Sequence, residues 1–166
     1  MLMIGCEQSE QERVNKMEKL VITSSAFQDN MRIPDKYTAY ADNLSPGLRI
    51  NNIPRAAKSL VVIMDDPDAQ RVVGHTWDHW VMWNIPLQGT IAEGTAPGIQ
   101  GAGSNGKNAY YGPRPPAGSG VHHYIFKVYA IDTLLVLPKT ASRADVEKAM
   151  KGHVLAEGKL TGLYSV

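Results

Sequence analysis

Hydrophobic positions in this chain alternate or run continuously over short segments far more often than they recur at helical spacing. Leu20-Val21-Ile22-Thr23 is a short β-branched run that predicts a first strand. Pro34, Asn43, Ser45-Pro46-Gly47, Asn51-Asn52 and Pro54 then break the chain so often that the stretch reads as irregular and ordered by tertiary contacts. Ser59 to Met64 is continuously apolar, the pattern of a central strand, and Asp66-Pro67-Asp68 is the turn that ends it. Thr76 to Ile85 predicts a second central strand, because Trp77, Trp80, Val81 and Trp83 are too bulky for an exposed edge. Strict alternation puts Trp77, His79, Val81 and Trp83 on one of its faces and Asp78, Trp80 and Met82 on the other. Val121 to Ile131 alternates as a third strand with His122, Tyr124, Phe126 and Val128 on a shared face. One helix stands out from Ser142 to Lys151, with Ser142 and Asp145 as a capping pair, Val146, Ala149 and Met150 as its apolar stripe, and Gly152 as its stop. Leu155 to Tyr164 predicts a short helical turn and a last strand.

Composition narrows the class without changing these elements. The chain has 166 residues, 43% of them hydrophobic, and shows no internal repeat, so one domain with a complete core is expected. A formal net charge of +1 supplies no basic footprint for nucleic acid, which is excluded as a partner. The single cysteine, Cys6, closes no intramolecular disulfide. The longest apolar run, Leu60 to Met64, is too short to span a bilayer. Residues 1–17 are expected to form a loose arm ahead of a domain covering 18–166. Met1 to Cys6 ends like a lipoprotein cleavage site but lacks a signal peptide's basic and long apolar regions, so a cytoplasmic location is expected, with a periplasmic or lipid-anchored form left open.

Candidate chemistry gathers in Asp66 to Trp83 and Tyr110 to Tyr124. Gly101-Ala102-Gly103-Ser104-Asn105-Gly106-Lys107 fits a dinucleotide pattern and nearly fits a P-loop, but it neither follows a strand nor opens a helix, and Asn108 stands where magnesium would need Ser or Thr. His75 and His79 have zinc-protease spacing only on a helix. On a strand they lie about 13 Å apart, so no metal is expected. No cofactor is expected either. Asp66-Pro67-Asp68 alone is an ordinary turn. Brought together with His79, His122 and a proline-rich connection of about twenty residues before Pro116, it reads as a small polar pocket, because buried polar groups are costly unless something satisfies them.

Three segments carry a resemblance: Asp65-Asp66-Pro67-Asp68-Ala69, Gly74 to Pro86, and Gly112 to Asp132. Together they resemble the signature blocks of the phosphatidylethanolamine-binding protein family, and most closely its bacterial, Raf-kinase-inhibitor-like branch. That likeness runs from about Leu20 to Tyr164. It implies a mainly β, antiparallel sandwich-like single domain with a few peripheral helices. It also implies a pocket for phosphate-type anions or phospholipid head groups, lined by Asp66, Trp77, His79, Gly112, Pro115, Pro116, His122 and Tyr124, with Asp68 in the same turn. Gln70, His123 and the pair Gly47 and Ile50 depart from the family's usual residues.

The pocket is expected to use His79 and His122 as donors, cationic when protonated, with backbone amides near Gly112 completing anion coordination and Asp66 orienting an imidazole. The function so read is non-enzymatic binding of a small anion, with regulation of a kinase or protease as its extension and a homodimer implied by resemblance only. The alternative is a hydrolase or lyase in which Asp66 orients a histidine as general base. No serine sits in a nucleophile elbow, and Cys6 lies in the arm.

Overall fold

The structure, a computed structural model, describes residues 17–166. Cys6 and nearly all of the expected arm lie outside the described residues. Ten strands and two helices follow in chain order: β1 (Glu18–Lys19), β2 (Val21–Thr23), β3 (Met31–Arg32), β4 (Leu48–Asn51), β5 (Ser59–Asp66), α1 (Gln70–Val73), β6 (Trp77–Ile85), β7 (Thr90–Ile91), β8 (Ile99–Gln100), β9 (His122–Ile131), α2 (Arg143–Met150) and β10 (Val154–Tyr164). Single 3-10 turns occupy Asp35–Tyr37 and Pro67–Ala69.

The large sheet runs β1-β10-β9-β5-β6-β8, with β3 also on β10, and the small one runs β2-β4-β7. The expected sandwich is present, and its long pairings are antiparallel. The short pieces β1 and β3 add to β10 in parallel. Every residue of β5 is buried, as its unbroken apolar run requires. Residues 155–164, expected to open with a helical turn, instead form one continuous strand with Val154. Its ladder to β9 supplies the hydrogen bonds that an isolated turn would lack.

Two apolar clusters lie on opposite faces of the large sheet. The larger fills the space between the sheets, joining Ile22, Leu48, Ile50 and Ile91 to Met64, Trp80, Met82, Tyr124, Phe126 and Val128. The smaller packs Val61, Ile63, Val81 and Trp83 against Val146 and Met150 of α2. The cap of α2 forms as its sequence predicts, with Ser142 and Asp145 in a reciprocal capping box.

Strict alternation fails along β6. Met64 pairs with Trp80 and Asp65 with Asp78, so His79 is an extra residue opposite two consecutive residues of β5. This is a β-bulge, and it resets which residues face which way. Trp77, His79, Trp80 and Met82 consequently sit on the inter-sheet side, while Val81 and Trp83 face α2. The expected grouping of Trp77 and His79 with Val81 and Trp83 is therefore overturned. A second register shift falls between Met82 and Ile85, where Asn84 takes φ 53° and returns Ile85 to the inter-sheet core.

Phe126 is fully buried, with its ring centroid 5.9 Å from that of Phe27 across the inter-sheet space. A Phe126→Ala variant is expected to lose about 3–5 kcal/mol of unfolding free energy, measured as a lowered denaturant midpoint at unchanged slope.

Candidate functional site

The site begins where β5 ends. Asp66 caps the 3-10 turn Pro67–Ala69, with its Oδ1 accepting from the amides of Asp68 (2.9 Å) and Ala69 (3.2 Å). Pro67 opens the turn, where its missing N–H costs nothing. The chain continues into α1, which Gly74 ends in the left-handed region at φ 84°. Asp66 Oδ2 lies 2.6 Å from Nδ1 of His122 at the start of β9, and both residues are almost completely buried. The carboxylate is hydrogen-bonded to an imidazole, that of His122. Asp68 turns away instead. Its Oδ2 accepts from the amide and Nδ1 of His123, and its Oδ1 lies 3.3 Å from Arg71.

The bulge on β6 delivers His79 to the same place. Its ring meets Tyr124 edge-on at 5.2 Å and stacks on Tyr111 at 5.9 Å, while Nδ1 lies 2.5 Å from the carbonyl oxygen of Tyr111. The Tyr111 amide in turn donates to the His79 carbonyl. This reciprocal pair pins the connecting loop to β6. The loop is also held by Asn43, at φ 54°, whose Oδ1 accepts from the Gly112 amide at 2.7 Å, and by Tyr40, which donates to the Pro115 carbonyl at 2.6 Å. A Cβ on Gly112 would lie 2.1 Å from the Tyr37 carbonyl oxygen, so glycine is needed for close approach.

The resulting cavity has a volume of about 200 Å³. Asp66, Trp77, His79, Pro115, Pro116, His122 and Tyr124 line it, and the structure thereby brings seven of the nine residues named from sequence to one wall. Asp68 and Gly112 are outside. Gly112 shapes the loop, and its own amide donates to Asn43. Sequence reasoning missed Ala69, Val72, Val73, Tyr111 and Arg114. The signal for Tyr111 was present in its adjacency to Gly112. Nothing in the pattern of α1 distinguishes Val72 and Val73 from core residues, although both are largely exposed at the cavity mouth.

Electrostatics further change the picture. Burial pushes the His79 imidazole down to about 4, more than the Tyr111 carbonyl and the charge of Asp66 restore. His79 is therefore neutral near pH 7, and the cation expected of its protonated form is confined to pH values near 4 and below. A carbonyl can only accept, so the His79 proton sits on Nδ1 and Nε2 is left as a lone pair. Burial and the nearby Asp66 charge push the Tyr124 phenol up, keeping it protonated. Arg114 is the one lining residue with a permanent positive charge. Asp65, adjacent to Asp66, points to the opposite face of the sheet, where its Oδ2 pairs with Lys127 (2.6 Å) and Arg143 (2.5 Å). Among the described residues no cluster of three or more His, Cys, Asp or Glu is placed to hold a metal, and no helix is long and apolar enough to cross a membrane.

The phosphatidylethanolamine-binding protein family profile matches residues 23–165. The chain belongs to this family. A UPF0098 protein of Pyrococcus abyssi is 47% identical over 156 residues, covering 89% of this chain and 86% of that protein. A crystal structure of a phosphatidylethanolamine-binding protein homologue from Chlamydia trachomatis superposes with a TM-score of 0.84 at 34% identity, covering 90% of this chain and 99% of that one. YbcL of Escherichia coli, described as a member of the mammalian family, superposes at 0.82 with 26% identity over 89% of this chain and 99% of its own. Carboxypeptidase Y inhibitor, crystallised with its cognate proteinase, shares the fold at a TM-score of 0.55 and 16% identity, covering 96% of this chain and 92% of the inhibitor.

Two outcomes check this geometry. Because His79 binds its proton less readily folded than unfolded, stability is full above its ordinary value of 6.5 and falls as pH drops toward about 4. Denaturation between pH 7 and 4.5 should show a loss of up to about 3 kcal/mol that a His79→Gln variant lacks. A Gly112→Ala variant should melt several degrees lower, because the new Cβ forces the loop off Tyr37.

Proposed function

We propose that the cavity binds a compact anionic ligand of the phosphate or phospholipid head-group type and releases that anion unchanged. The observation that carries this is the use made of Asp66. Its oxygens are committed to two amides and to His122, so its lone pairs are occupied before any ligand arrives. Arg114 is the permanent positive charge on the lining, and Trp77, Tyr124, Pro115 and Pro116 supply a dry wall on which a charge–charge contact counts for more than in water. A kinase or protease target is the regulatory form of the same proposal, with the exposed Val72 and Val73 beside the cavity as the surface it would touch.

The neutral His79 sharpens the ligand class. Its Nε2 accepts and does not donate, so it favours an anion that still carries a proton, such as a phosphomonoester monoanion giving its P–OH to the imidazole. A phosphodiester has no such proton. The Asp66–His122 bond favours a second reading, a hydrolase in which Asp66 holds His122 as general base.

Calorimetric titration with a phosphomonoester is expected to show affinity rising from pH 8 to pH 5.5, as the ligand takes up its second proton near pH ~6. A dialkyl phosphate should gain much less over the same range. Arg114→Ala should weaken both ligands about tenfold, and His79→Ala should remove the preference for the monoester. Equal affinity for the two ligands at every pH would overturn the assignment of His79.

A further inference from the structure

On the side of His122 away from Asp66 stands a residue that binding does not use. Ser119 Oγ lies 3.0 Å from His122 Nε2, while His122 Nδ1 lies 2.6 Å from Asp66 Oδ2. A hydroxyl, an imidazole and a carboxylate are thus joined in series by two hydrogen bonds, the arrangement that activates a serine for attack on an acyl carbon. Resting on the hydrolase reading above, we propose that Ser119, His122 and Asp66 form a nucleophile–base–carboxylate triad with hydrolytic activity toward small carboxylic esters, placed at the edge of the cavity, which Asp66 and His122 line and Ser119 does not.

The surroundings of each member suit the role. Asp66 is held by the amides of Asp68 and Ala69, so it cannot rotate away from His122. In the tautomer that directs the Nδ1 proton at Asp66, the Nε2 lone pair of His122 faces the serine. His122 is 1% exposed and stacks on Tyr124, which fixes the plane of its ring. Ser119 closes a turn from Pro116, its amide donating to the Pro116 carbonyl at 3.1 Å, with Gly118 at φ 78° as the third residue. Gly120 follows at φ 84°, and a Cβ built on either glycine would meet nothing within 4 Å. The serine therefore sits on an open turn, half-exposed, beside the buried base that contacts it. Its hydroxyl donates to the Pro116 carbonyl at 2.7 Å, so attack requires the hydroxyl to rotate its proton from that oxygen to His122 Nε2. His79 does not compete, because its own proton is committed to Tyr111.

In the proposed step, Ser119 Oγ bonds to the ester carbonyl carbon while its proton passes to His122 Nε2. The carbonyl π pair becomes an oxyanion, for which Arg114 on the cavity wall is the available cation. Collapse breaks the ester C–O bond, and Nε2 returns the proton to the departing alkoxide, releasing the alcohol. A water then attacks acyl-Ser119 with His122 again as base, releasing the acid and restoring the hydroxyl. The apolar wall of a cavity of about 200 Å³ suits a short acyl chain.

The test treats the full chain with p-nitrophenyl acetate and, separately, with a fluorophosphonate probe followed by peptide mass mapping. Wild type should hydrolyse the ester and carry the probe on Ser119. Ser119→Ala should lose the label and at least about a hundredfold in rate while remaining folded at the assay temperature, which its circular dichroism spectrum checks. Asp66→Asn should slow labelling of Ser119 and shift its pH profile. Phosphomonoester affinity measured on Ser119→Ala keeps the two proposals separable, since anion binding survives that change whether or not hydrolysis does. Absence of probe at Ser119 in folded wild type, or ester hydrolysis unchanged in Ser119→Ala, overturns the triad and leaves Ser119 as a turn residue that satisfies His122.

Discussion

A carboxylate and an imidazole joined at 2.6 Å in a nearly solvent-free position are what the site is built around. Neither is tolerable there alone, because an unpaired buried charge or polar nitrogen costs several kcal/mol. The pair thereby fixes how the end of β5 meets the start of β9. The 3-10 turn after β5 caps the carboxylate from below, and the turn from Pro116 to Ser119 meets the imidazole from the other side. The cavity wall is the surface left between these two turns once the pair has formed.

Consecutive aspartates make this possible without mixing two electrostatic environments. Asp65 and Asp66 alternate to opposite faces of the sheet as a strand requires. Asp65 is neutralised on the α2 side by Lys127 and Arg143, and Asp66 on the cavity side is hydrogen-bonded by two amides and a histidine. The desolvation and Coulomb effects act in opposite directions on the cavity histidine. At His79 desolvation wins, since no carboxylate bonds its ring.

Much of this was legible in the sequence because it depends on period and local chemistry. The unbroken apolar run of β5, the alternation of β9 and the capping box of α2 each follow from side-chain type at fixed spacing. Asp66, His122 and Tyr124 could be placed together because two strong central strands pair in register. What stayed hidden depends on contacts between distant segments. The bulge at His79 has no local signature, and alternation alone put His79 with Val81 on the wrong face. Arg114 and Tyr111 reach the cavity only because Asn43 and Tyr40, far away in sequence, anchor their loop. The neutral state of His79 follows from burial that no count of histidines reveals. The likeness to the family supplied the ligand class, which periodicity could not.

The bulge in β6 also acts like a frameshift in a two-letter reading of inside and outside. Up to Asp78 the strand is read in one frame, which aims Trp77 into the cavity; from Trp80 onward it is read in the other, which builds the core. One inserted residue thus uncouples the two halves of a single strand. A substitution at Trp77 can therefore reshape the cavity without dictating which way Trp80 and Met82 face in the core beneath it.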